Sequence, residues 1–450
     1  MPKISPLLSL FASMVNHINQ LLVQAQAASD AGDWSLLTQY LQQLILTVDS
    51  NHPEIVKHRE YLLELALSIL EMGDFQQRWD IAKVLRQLGN IAILPLIDIL
   101  EDEDAEEDLR WYAVRTLGEF QHPDAIVSLV ELLKSSENQE LKAMAASALG
   151  QMGTLAITAL TQLLAEDETK LLAVRSLAYI RTQETITPLL TVVEDAQAVV
   201  RSATLEALSS FHDQRVPPVL LNALDDLAAP VRRAAVQGLG FRPDLSTELD
   251  LVARLQPRLC DFNLEVCCAA AIALSRMGTE EAAQHLFQVL ISPNTPLKLQ
   301  LEIIRALVWV ETLSGLKYLQ ELLEHTTSEM LWQEMITVLG QVQQPQLMTP
   351  AAEILLDILQ SQHLVTVGNP WGARIKSAIA LGLGQLGNNQ AVEPLILLLA
   401  DTNPIVRLNA IAALKKLDAE AAYQRLQQLA HNSTLTPDLQ QGIAIALAEW

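Results

Sequence analysis

Apolar residues along this chain recur at intervals of three and four, and the strict alternation of a half-buried strand is hard to find. The pattern predicts helices throughout, and the helices repeat. "VRSATLEAL" (200–208), "VRRAAVQGL" (231–239) and "VRLNAIAAL" (406–414) share one frame, in which Val-Arg opens a segment that ends on Leu eight residues after the Val. The same frame ends on Leu85, Leu117, Leu149, Leu177, Leu274, Leu307, Leu339, Leu383 and Leu447. Successive anchor leucines lie 28 to 35 residues apart, with one gap of 44. A unit of that length holds two helices. It cannot bury its apolar face alone, so units must stack.

Within a unit, the position before the anchor is small or β-branched, as at Thr116, Ala148, Ala273 and Ala413, which lets neighbouring helices approach closely. Three residues past the anchor stands an apolar residue such as Leu88, Phe120 or Met152, with Arg242 as the exception. Glycine follows at Gly89, Gly153, Gly278 and Gly387, where a helix can close in a left-handed turn. Pro95, Pro188 and Pro394 fall in the first turn of the second helix, where the amides have no intrahelical partner anyway. Asp195, Asp226 and Asp401 each stand six residues before an arginine, Arg201, Arg232 and Arg407, which suits an Asp–Arg ladder along one edge. The expected fold is therefore all-α, an α-solenoid of eleven to twelve helix pairs over residues 76–450. Residues 1–75 lie outside the frame and read as three helices (5–28, 33–48 and 53–72) that cap the first unit.

Composition narrows the function. Half the residues are hydrophobic but only 4% are aromatic, which fits many small aliphatic contacts between stacked helices. A net charge of −23 with no basic stripe argues against nucleic acid and anionic membrane surfaces, and favours a basic or mixed-charge protein partner. Three cysteines make no disulfide framework and suit the cytoplasm. No apolar run reaches membrane-spanning length. The sequence holds no HExxH, no C-x-x-C, no phosphate-binding glycine loop and no G-x-S-x-G. Binding, not catalysis, is the expectation.

Four features are candidates for it. On the second helices, one position faces away from the first helix: Asp98, Glu131, Gln162, Thr191, Asn222, Pro257, Gln288, Glu321, Asp357, Leu397 and Gln428. This row is expected to line a concave surface that holds a protein. Trp79 and Trp111 share one repeat position outside the core; burial beneath the N-terminal helices leads, with a binding hot spot as the alternative. Trp371 lies in an insertion at 360–372, the source of the 44-residue gap. Cys260, Cys267 and Cys268 sit within nine residues of one another. They read either as small buried hydrophobes or as thiolate donors to a metal or iron–sulfur cluster shared with a partner.

The paired motifs A-x-x-P-L and V-R-x-x-A-x-x-A-L, both legible in "AVEPLILLLADTNPIVRLNAIAAL" (391–414), resemble the HEAT-like repeats of the phycobilisome-lyase type. The resemblance runs from Gln77 to the C-terminus. It implies a HEAT-like solenoid and one of two roles. One is a scaffold; the other is a phycobilin lyase subunit that attaches a linear tetrapyrrole to phycobiliprotein cysteines. The sequence and its cysteine cluster are also similar to cyanobacterial HEAT-repeat proteins that partner A-type iron–sulfur scaffolds. That likeness implies help in cluster assembly, with no cofactor in the isolated chain and a cluster shared with the partner. The second-helix row offers no obvious basic pair for bilin propionates, so the non-catalytic scaffold leads.

Overall fold

The structure is a computed structural model that describes the backbone of residues 6–47, 52–360, 370–432 and 434–450; side chains are described from Met14 on, except those of residues 47, 324, 370 and 371. Residues 361–369 of the insertion and the side chain of Trp371 therefore lie outside the described residues. Among the described residues every regular element is helical. They form two compact units, Met1–Phe211 and His212–Trp450.

In the first unit, the N-terminal helices are Pro6–Asp30, Trp34–Gln42, Pro53–Lys57 and Arg59–Met72. The last two are the single third helix expected from the sequence, interrupted at His58. Trp34–Gln42 and Arg59–Met72 pack on Phe75–Leu88, the first helix of the repeat frame, and fully bury Leu37, Leu41, Ala66 and Ile69. That frame opens with a capping box. Asp74 Oδ1 accepts the Gln77 N–H, and Gln77 Oε1 accepts the Asp74 N–H, each at 2.9 Å. The pairs that follow are Phe75–Leu88 with Ile93–Glu101, Glu107–Leu117 with Pro123–Ser135, Gln139–Gln151 with Ile157–Leu163, and Lys170–Ile180 with Ile186–Leu190, and the unit ends with Ala198–Leu208.

The second unit begins with Val216–Ala223, then holds Ala229–Gly240 with Leu251–Leu255, Leu264–Met277 with Glu280–Leu290, Leu297–Trp309 with Leu313–His325, Glu329–Gly340 with Pro345–Gln360, and Pro370–Leu386 with Val392–Leu397. Pro404–Ala430 is a pair folded at Asp418, whose φ of −160° and ψ of 96° break the helix. Pro437–Ala448 ends the chain. Among the described residues the first unit thus holds four helix pairs and the second six, with Pro404–Ala430 counted as one.

The anchors are the core. Eleven of the twelve leucines, all but Leu447, have 0% relative exposure. Each removes most of a Leu side chain from water, about 1.5–3 kcal/mol apiece. Successive first helices touch at a repeated point, where the residue after one anchor meets the residue before the next. A methyl added at Gly118 would lie 2.7 Å from Ala148 Cβ, at Gly240 2.9 Å from Ala273 Cβ, and at Gly340 2.6 Å from Gly382 Cα. The small residues of the sequence pattern are what permit this spacing. The helix-end glycines behave as expected too: Gly89, Gly153, Gly278 and Gly387 all have positive φ. Arg181 and Glu311 hold the same place without glycine, at φ of 51° and 60°.

The ladder differs from the simple Asp–Arg pairing. Each arginine grips the backbone of its aspartate. Arg201 Nη1 donates to the carbonyls of Asp195 and Ala196 (2.7 and 3.1 Å), Arg232 Nη1 to those of Asp226 and Leu227 (2.8 and 3.1 Å), and Arg407 Nη1 to those of Asp401 and Thr402 (2.8 and 3.2 Å). The carboxylate takes a cation from the first helix before it in the chain: Lys170 to Asp195 (2.6 Å), Arg232 to Asp261 (2.7 Å) and Lys376 to Asp401 (2.8 Å). An arginine at the start of one helix pair thus fixes the turn behind it and, in the case of Arg232, the turn ahead. Six-residue spacing suggested a side-chain pair because the carbonyl of the same Asp is invisible in a sequence pattern.

Candidate functional site

The second helices present the expected row to solvent. In the first unit Asp98, Glu131, Gln162 and Thr191 are all exposed; in the second, Asn222, Pro257, Gln288, Glu321, Asp357, Leu397 and Gln428 reach solvent as well. The row is continuous within stretches of each unit, because Ile93–Glu101 packs on Pro123–Ser135 and that helix on Ile157–Leu163, while Leu313–His325 packs on both Glu280–Leu290 and Pro345–Gln360. One turn before Asp98 and Glu131 stand Leu94 and Val127, 64% and 67% exposed. The face thus pairs apolar side chains with carboxylates, and no basic residue enters the row.

Trp79 is 36% exposed. Its ring stacks on Phe75 (centroids 6.3 Å apart), and the Arg115 guanidinium lies 3.6 Å over its face. Phe75 is itself 69% exposed and meets the edge of Tyr112, whose hydroxyl donates to the Phe75 carbonyl (3.1 Å). Trp111 is half-buried against Tyr112 at 5.1 Å. The two tryptophans therefore belong to one exposed aromatic cluster with an arginine in it, the residue types that dominate binding hot spots.

The cysteines split. Cys260 is exposed, whereas Cys267 and Cys268, at the start of Leu264–Met277, are buried. Cys267 occupies the ladder arginine's place and substitutes for it as a donor, its thiol bonding to the carbonyls of Asp261 (3.2 Å) and Asn263 (3.4 Å). Trp332 does the same through its indole N–H to the Thr326 carbonyl at 2.9 Å. Burial, with the Asp261 carboxylate beside it, pushes the Cys267 thiol up to about 11, and burial raises Cys268 as well. Both are protonated at neutral pH, so neither is a ready thiolate. The Asp261 carboxylate is already engaged by Arg232 and held below the usual carboxylate range by that bond. Among the described residues, no three His, Cys, Asp or Glu side chains are placed to hold a metal ion.

Sequence reasoning passed over one surface. Two residues past the anchors stand Phe241, Arg276 and Trp309, on three successive first-helix ends. Phe241 and Trp309 are 55% and 53% exposed, and the Arg276 guanidinium lies 4.7 Å over the Phe241 ring. Reading the frame two places beyond each anchor, instead of three, would have found them.

A family description of HEAT repeats matches residues 93–172, 157–240, 217–300 and 370–448. No curated protein matches the sequence. Among solved structures the chain is similar to importin beta, crystallised in ammonium sulfate, with a TM-score of 0.53 and 14% identity; the match covers 94% of this chain and 63% of that one. It is also similar to a chain in a homology model of the full-length AP-3 complex in an intermediate open conformation, with a TM-score of 0.49, 11% identity, and 96% and 92% of the two chains covered. At such identity the importin beta likeness establishes an α-solenoid fold and nothing finer. No helix among the described residues is long and apolar enough to cross a membrane. With well over half its length inside matched repeats, the chain belongs to the HEAT-repeat family.

Proposed function

We propose that this chain is a non-catalytic scaffold that holds a protein partner on the exposed, concave face of its second helices. The observation that carries the reading is the row from Asp98 to Gln428, open to solvent at every place, acidic or neutral throughout, and set beside solvent-facing Leu94 and Val127. Apolar area supplies contact and the carboxylates select a basic or mixed-charge surface. The net charge of −23 works against nucleic acid on this face. The expected setting is the cytoplasm. Replacing Asp98 and Glu131 together by Lys tests it. Both are exposed, so the fold is kept, and partner capture should fall and its salt dependence weaken. Unchanged capture by the double variant would remove this face from the account.

A narrower form of the proposal has the partner be an iron–sulfur scaffold, with Cys260, Cys267 and Cys268 completing its cluster. Cys260 favours it, being exposed at the end of the short helix Gln256–Cys260. Cys267 and Cys268 would have to give up their protons and, for Cys267, two hydrogen bonds. A bilin-lyase role finds no basic pair on the second-helix row to receive propionates. Trp79, Trp111 and Trp371 remain partner-contact candidates within the scaffold reading.

A further inference from the structure

We propose that Phe241, Arg276 and Trp309 form a second docking surface, separate from the second-helix row, that takes an extended acidic peptide with apolar side chains on either side of a carboxylate. Two grooves meet there. One, of about 410 Å³, runs from Phe241 past Arg276 to Trp309; the other, of about 690 Å³, begins at Trp309 and passes Arg305 and Gln344. Only 4% of the chain is aromatic, yet two of those rings are set half-exposed along one edge of a single groove. A ring that leaves half its surface in water forgoes most of its burial energy, and a partner's apolar side chain recovers it.

The charge of the partner follows from Arg276. Among the described residues no carboxylate lies within 4.0 Å of its guanidinium. By contrast Arg242 is bound to Asp244 (2.8 Å), and Arg305 to Glu334 (2.6 Å) and Glu302 (3.2 Å). Glu311, on the groove rim, accepts the Gln344 amide at 2.7 Å and keeps its charge, so Arg276 is where a carboxylate from outside is received. In a chain of 53 acidic and 30 basic residues, an arginine held over a ring and left without a carboxylate is a receptor for one from outside. Neighbouring helices pack 8–10 Å apart, so Phe241 and Trp309, two helices apart, are about 16–20 Å from each other. An extended chain covers that in about six residues at ~3.3 Å each, which puts a carboxylate near the midpoint over Arg276.

The test is selection of a displayed library of random peptides, about twelve residues long, on the full chain, followed by binding of the selected peptides as synthetic probes. The expected peptides carry two apolar side chains about six residues apart with Asp or Glu between them. Trp309→Ala and Arg276→Gln should each weaken binding about tenfold or more, and Arg276→Glu should select Lys or Arg at the middle position instead. All three side chains reach solvent, so a melting curve matching the wild type verifies that each variant is folded. Selected peptides without an acidic residue, equal binding to wild type and Arg276→Glu, or no enrichment above background would each overturn the proposal.

Discussion

Replacing Arg232 by Ala is the sharpest perturbation of the stack. Its guanidinium makes a bidentate pair with Asp261, Nε to Oδ2 at 2.8 Å and Nη2 to Oδ1 at 2.7 Å, while Nη1 holds the carbonyls of Asp226 and Leu227. The two side chains are 12% and 4% exposed, so neither charge is well hydrated. Truncation leaves a buried carboxylate that keeps the Asn263 N–H (2.8 Å) but loses its bidentate cation, and breaking a buried pair from one side costs about 3–5 kcal/mol. Arg232→Met combined with Asp261→Asn should cost less than the sum of the single changes, because no lone charge remains. Asp261 is held below its ordinary pKa, chiefly by Arg232. Its contribution is therefore present above the unfolded carboxylate pKa, about 3.9, and is lost as pH falls through the lowered folded value. The gap between wild type and Arg232→Ala should accordingly shrink in acid. Urea denaturation read by circular dichroism gives the midpoint, and hydrogen exchange of Ala229–Gly240 and Leu264–Met277 localises the loss. Equal midpoints at neutral pH, or a gap that does not vary with pH, would refute the reasoning.

Two further outcomes follow. A maleimide should modify Cys260 in the native protein and reach Cys267 and Cys268 only after unfolding; native-rate labelling of Cys267 would end its assignment as a buried donor. Gly340→Ala gains about 1 kcal/mol of helix propensity but drives a methyl into the Gly382 backbone, an overpacking cost of about 1–3 kcal/mol, so the urea midpoint should fall. A rise in that midpoint would mean the helices do not approach as closely as described.

Most of the fold was legible because an array writes the same solution many times. The anchor leucines, the small residues before them and the glycines after them each answer one local demand, and periodicity exposes the demand. What periodicity hides is the partner of each group. Arg201 and Arg407 bond to carbonyls that every residue carries, and Cys267 replaces an arginine as donor although the two look unrelated. Arg242 breaks the apolar rule three places past the anchor and is instead tied to Asp244, a local pair that no repeat pattern signals. The candidate sites were less legible. Exposure of the second-helix row followed from helix geometry alone, but the exposed aromatic cluster at Trp79 depends on Phe75 and Arg115, which lie in different repeat positions. Phe241 and Trp309 sit at a position held by polar residues in most other units, so a consensus frame averages them away.

Site-specific photo-cross-linking tests the central claim most directly. A cross-linking residue at Gln162 or Gln288 lies on the second-helix row, whereas one at Ser147 lies on an exposed position of a first helix. In native extract, Gln162 and Gln288 should each trap a protein partner, and Ser147 should trap none. Trapping from Ser147 with none from Gln162 and Gln288 would contradict the proposal that the second helices hold the partner.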